Sequence, residues 1–222
     1  ILLGFNEPEQ PTAEQFEWLN LFLAEAESAL VSYDFERIAE YFDIDSFVDF
    51  YIVNELFKDV DFSTSSTRFY LKKGRLYAGP LWDMDLSSGN VSEEAGYYGE
   101  YWNSNTSGDS TESFYCRKIW YRELFGCQKF GELVRKRYAK LQPQIVNLTT
   151  DNELGLNRID RLIAKYGKSF AANYEKAGWS VSYVYGEFES RYPAKTYEGN
   201  VEYLREWLIR RNAWLLHELG IS

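Results

Sequence analysis

The chain is 222 residues long, 45% hydrophobic and 18% aromatic, which supplies a sizeable core for one domain and excludes a disordered or collagen-like chain. Its 24 basic residues stand against 34 acidic ones, a balance of −10 that argues against nucleic acid and anionic lipid as partners. No apolar run approaches the roughly 18 residues of a membrane span, and one histidine with two cysteines offers neither a zinc centre nor a disulfide framework.

The opening ILLGF reads as a strand caught in mid-run, with no initiator methionine and no basic-then-apolar leader, and is expected to belong to a mature product or an excised fragment. Thr12 and Gln15, after Pro11, have the spacing of a capping box, and AEQFEWLNLFLAEAESAL carries apolar residues at helical spacing. Asp34 is placed to cap a short helix, FERIAEYF, and Asp43 or Asp45 the next, SFVDFYIVNELF. In that helix Phe47, Phe50, Tyr51, Val53, Leu56 and Phe57 fill most of the circumference, which predicts a central, buried element. It delivers Asp59 and Asp61 at its C-terminal end, where the helix dipole already leaves partial negative charge.

STRFYLKKGRLYAGPL follows, with Thr67, Phe69 and Leu71, then Leu76 and Ala78, alternating about Lys-Lys-Gly-Arg, and this predicts a hairpin with Gly74 in its turn. Strands of about six residues would run out and back roughly 20 Å, so residues 61 and 83 finish close together. Lys72, Lys73 and Arg75 sit at the tip and read as solvated turn residues. Residues 91–113 are rich in Gly, Ser, Asn and acid and predict a long irregular loop, whose stretch GYYGEYWNSN is either a ligand platform or a flap on the core. Helices are expected near 114–125, 128–142, 153–179 and 199–219. Cys116 and Cys127 either pair or stay as buried thiols, and His217 has a packing or surface role in the last helix.

Asp59 and Asp61 at one foot of the hairpin, with Asp83 and Asp85 at the other, are the constellation that carries chemistry. Converging carboxylates without His or Cys suit a hard cation such as Mg²⁺, Mn²⁺ or Ca²⁺. Phosphoryl transfer needs one carboxylate to orient the nucleophile and another to hold the metal on the nucleotide phosphates. The competing account is that all four are solvated turn residues, the ordinary place for aspartate. A calcium-stabilised acidic domain is a third, although the twelve-residue EF-hand loop is absent.

DIDSFVDFYIVNELFKDVDFSTSSTRFYL followed by GRLYAGPLWDMDLSSGN resembles the signature of the CotH kinase family, most specifically through residues 43–90 and at Trp82-Asp83-Met84-Asp85. The resemblance implies a single α+β, predominantly α-helical domain over residues 1–222. It would be the C-terminal lobe of a protein kinase-like fold, a small β-hairpin on a bundle of helices, with the nucleotide-gripping lobe upstream of residue 1. It implies transfer of the γ-phosphate of ATP, with Mg²⁺ or Mn²⁺, to Ser or Thr of secreted or spore-coat proteins, and an extracellular or spore-coat location. By position, Asp61 is the catalytic aspartate, Asp83 the metal ligand and Asp85 a further metal ligand. Ser66 stands where many members carry a metal-binding Asn. That departure, with the absence of a Gly-rich phosphate loop, keeps a second reading open: a non-catalytic structural or binding module of a secreted, cellulosome-like protein.

Overall fold

The computed structural model describes residues 4–62, 66–90, 111–176 and 196–221. The aromatic stretch of the predicted loop, the opening Ile-Leu-Leu and the end of the predicted 153–179 helix lie outside them. Helix α1 (Ala13–Ser32) starts on the predicted capping box: Gln15 N–H donates to Thr12 Oγ1 at 3.2 Å, and Thr12 N–H donates to Gln15 Oε1 at 2.9 Å. Helix α2 (Phe35–Tyr41) is capped by Asp34, which accepts from Glu36 and Arg37. For α3 (Ile44–Phe57) the structure selects Asp43, whose Oδ1 accepts from Ser46 N–H, while Asp45 pairs with Arg137 at 2.9 Å.

Helix α3 is the axis of the core, as its all-round apolar sequence requires. Phe47, Val48, Phe50, Tyr51, Ile52 and Leu56 are buried, and its first half is ringed by Phe42, Phe69, Trp120 and Tyr121, whose rings stand 4.9 to 6.5 Å from Phe47 or from one another. Each such aromatic removed from water contributes about 1.5–3 kcal/mol.

Strands β1 (Phe69–Lys72) and β2 (Arg75–Ala78) form the expected antiparallel hairpin, in register from Phe69↔Ala78 to Lys72↔Arg75. Lys73 and Gly74 both take positive φ, 52° and 75°, the requirement of the two-residue turn whose twist matches the strands. The strands are four residues each, so they reach about 13 Å rather than the expected 20 Å. One further backbone bond, Gly79 N–H to Arg68 O at 2.9 Å, follows the strands, and the outer edge of β2 docks on the start of α3: Leu76 O accepts from Asp43 N–H at 2.9 Å, and Ala78 N–H donates to Ser46 Oγ at 3.2 Å. Lys72, Lys73 and Arg75 are exposed, as read from the turn.

Helices α4 (Tyr121–Gly126), α5 (Gln128–Val146), α6 (Arg158–Lys176) and α7 (Tyr197–Leu219) complete the described elements. Two expectations need correction. Residues 114–118 are non-helical, and the N–H groups of Tyr115 and Cys116 go to the Glu55 carboxylate on α3 instead. Residues 151–157 form a turn before α6, in which Asp151 Oδ1 accepts from Asn157 N–H and Asn157 Oδ1 accepts from Asp160 N–H, both at 2.9 Å. Helix α5 also continues through Pro143 to Val146. Cys116 and Cys127 are both buried free thiols, and the His217 side chain lies on the surface. Among the described residues no helix is long and apolar enough to cross a membrane.

Candidate active site at the end of α3

Helix α3 stops because Lys58 turns left-handed (φ 50°, ψ 60°) and sends its N–H back to Asn54 O and Glu55 O. The chain then closes a tight turn. Asp59 N–H donates to Asn54 O at 3.1 Å, Asp59 Oδ1 accepts from Asp61 N–H at 3.1 Å, and Asp59 O accepts from Phe62 N–H at 3.3 Å. An aspartate bonding the backbone two residues on is the usual device for such a turn. Its consequence is burial: Asp59 is 1% exposed, Phe62 is buried beside it, and Asp61 is left half-buried at the surface.

The second acidic segment is clamped to the first by backbone bonds. Val60 N–H donates to Leu86 O at 3.1 Å, and Ser88 N–H donates to Phe57 O at 2.6 Å. Within the segment Ser87 Oγ donates to Met84 O, and Asn90 Nδ2 to Asp85 O at 2.8 Å. Gly89 sits at φ 78°, and a Cβ there would stand 2.7 Å from the Trp207 ring and the Tyr203 hydroxyl, so no side chain fits. Asp83 holds a positive φ of 56°, uncommon outside glycine and most tolerated by Asn and Asp. Asp83 and Asp85 are exposed, as is Trp82, with the Arg68 guanidinium 5.6 Å from its ring centroid.

The charges of the two segments act on one another. Burial pushes the Asp59 carboxyl up to about 7, and the carboxylates of Asp61, Asp85 and Asp83 push the same way, against the Asp61 N–H bond that favours the ionised form. Ser66 is buried, and its Oγ lies 3.5 Å from Asp61 Oδ2, a long contact that turns the hydroxyl towards that carboxylate. Among the described residues no group of three or more His, Cys, Asp and Glu side chains is arranged as a metal centre. A calcium cage takes about 6–8 oxygens, carboxylates together with carbonyls and waters. A magnesium ion arriving on nucleotide phosphates asks less of the protein, one or two carboxylates, and the oxygen-only donor set here fits that mode.

A second charged group at the same helix end escaped the sequence reading. Glu55, on α3, accepts from Tyr115 N–H at 2.7 Å and Cys116 N–H at 2.8 Å, and pairs with Arg211 of α7 at 2.6 Å. Arg211 also donates to Glu55 O, Thr111 O and Ser113 O, so both buried charges are fully hydrogen-bonded. Tyr115 sends its own hydroxyl to Val60 O at 2.9 Å. The available signal was a glutamate set among Ile52, Val53, Leu56 and Phe57 of a helix read as buried, where a charge needs a partner from elsewhere in the chain.

A family model described as CotH kinase protein matches residues 4–215 of this chain. No curated protein and no solved structure matches it.

Proposed function

The chain belongs to the CotH kinase family, and from that premise we propose that its acidic site transfers the γ-phosphate of ATP to the hydroxyl of a Ser or Thr in a protein substrate. The observation that carries this reading is the pair of backbone bonds, Val60 N–H to Leu86 O and Ser88 N–H to Phe57 O, which holds two acidic segments from opposite ends of the hairpin side by side. In the proposed division of work Asp61, half-buried beside solvent, accepts a hydrogen bond from the acceptor hydroxyl and aims its oxygen at the phosphorus. Asp83 and Asp85, exposed across the clamp, are the candidate holders of a Mg²⁺ or Mn²⁺ ion that comes with ATP. Such an ion, when bound, offsets the charge of the β- and γ-phosphates. Ser66 supplies a neutral oxygen next to Asp61. The acceptor is read as a secreted or spore-coat protein, and the location as extracellular or on the spore coat, on the family alone.

The test is transfer of labelled γ-phosphate from Mg-ATP to the chain itself and to a generic acceptor such as casein. Asp61→Asn and Asp83→Asn should each slow transfer by at least about 100-fold. Rates equal to wild type in both variants would end the assignment.

One observation favours a second reading, a non-catalytic module of a secreted, cellulosome-like protein. Ser66 is 3% exposed and turned towards Asp61, in the position where many family members carry a metal-binding Asn. Thermal unfolding separates the two. Mg-ATP at a hundred times its Kd adds about 2.7 kcal/mol of stability to a nucleotide-binding protein, and an inert module shows no shift.

A further inference from the structure

We propose that Tyr115 is a positioning residue of the acidic site, its phenol fixing the Val60–Asp61 peptide that carries Asp61. The positional half of this inference stands on geometry alone, and the catalytic half rests on the phosphotransfer reading. The Val60 residue is held on both sides. Its N–H donates to Leu86 O at 3.1 Å, on the far acidic segment, and its carbonyl accepts from Tyr115 Oη at 2.9 Å. Tyr115 is itself fixed. Its N–H is bonded to Glu55 Oε1, Glu55 is held by Arg211, and the Lys118 and Lys58 ammonium groups lie 4.1 and 6.0 Å from its ring centroid. A chain of bonds thus runs from α7 through Arg211, Glu55 and Tyr115 to the backbone that carries Asp59 and Asp61.

Val60 and Tyr115 are both buried, so water does not replace a missing phenol at this carbonyl. Without the hydroxyl the Val60–Asp61 peptide is free to tilt, and Asp61 tilts with it. A displacement on the order of 1 Å at a reacting group is enough to slow chemistry by up to about 100-fold. Tyr115→Phe keeps the ring and its neighbours and removes one atom. Tyr138→Phe is the control, a buried phenol whose hydroxyl donates to Asn212 Oδ1 at 2.7 Å instead.

The full chain is measured by NMR hydrogen exchange at the amides of Val60, Asp61 and Phe62, and by steady-state transfer. Tyr115→Phe should speed exchange at those amides about 10-fold and lower kcat roughly 10- to 100-fold at unchanged KM for ATP, with Tyr138→Phe changing neither. Unchanged exchange in Tyr115→Phe, or equal changes in Tyr138→Phe, overturns the proposal whatever the chain catalyses. Faster exchange with an unaltered kcat overturns its catalytic half. If wild type transfers no phosphate at all, the phosphotransfer reading falls and takes that half with it, while exchange still decides the positional half. In unmodified protein the Tyr115 hydroxyl proton should exchange slowly, and a rapidly exchanging phenol would contradict the geometry without any variant.

Discussion

At the last turn of α3 two buried carboxylates stand four residues apart in opposite surroundings. Glu55 faces Arg211 and two backbone N–H groups, and every oxygen and nitrogen of that pair is engaged. Asp59 faces Asp61, Asp83 and Asp85, and its carboxyl is driven up to about 7 by burial and by these like charges. The first group joins α3 to α7 and to residues 111–116, so its charges hold structure. The second gathers like charges around a buried carboxyl, and the proposed cation would relieve them. Pairing with an opposite charge marks the Glu55 group, and convergence of like charges around a raised carboxyl marks the group to which phosphotransfer is assigned in the proposal above.

The largest expected effect comes from breaking the first group. Arg211→Met should lower stability by about 3–5 kcal/mol in urea unfolding, because it strands the Glu55 charge in the core. Glu55→Gln combined with Arg211→Met should recover part of the loss. A cost below about 1 kcal/mol for Arg211→Met would dissolve the distinction between the two regions.

Asp59→Asn probes the second group and should move stability the other way. The folded state binds the Asp59 proton more tightly than the unfolded chain, with a carboxyl at about 7 against a usual 3.8. Its contribution is therefore present at low pH and lost as pH rises from about 4 to about 7. The variant keeps an oxygen for Asp61 N–H, so at pH 8 it should be more stable than wild type, by on the order of 3 kcal/mol. The stability slope between pH 4 and 7 should flatten. A steeper slope in the variant would mean that Asp59 is not the group titrating there.

Smaller effects sharpen the boundary. Gly74→Ala, at φ 75° with open space around it, should cost about 1 kcal/mol through backbone strain alone. Alanine at Lys72, Lys73 or Arg75 should change stability by less than about 0.5 kcal/mol and leave phosphate transfer at the wild-type rate. A large rate loss there would bring the hairpin tip into the site.

The legible parts of the fold are those set by neighbours in sequence. The Thr12–Gln15 box, the Asp34 cap, the Lys73-Gly74 turn and the burial of α3 each follow from residues within one turn of helix or strand. The choice of Asp43 over Asp45 does not, because Asp45 is drawn away by Arg137, 92 residues on. Residues 114–118 read as helix and are instead non-helical, since Glu55 takes the N–H groups of Tyr115 and Cys116 from 60 and 61 residues away. At the site, the hairpin correctly predicted that the segments of Asp61 and Asp83 meet. It could not show that Asp59 turns inward while Asp83 and Asp85 stay exposed, because that depends on Leu86 and Tyr115 closing on Val60 and on Ser88 bonding Phe57.

The proposed cation is held by Asp83 and Asp85 within reach of the Asp59–Asp61 turn, and paramagnetic broadening by Mn²⁺ with ADP tests this placement most directly. At substoichiometric Mn²⁺ the amides of residues 59–61 and 83–86 should broaden together, before the rest of the acidic surface, and Asp83→Asn should abolish the effect. Broadening of one segment without the other, or a uniform loss across the surface carboxylates, would contradict it.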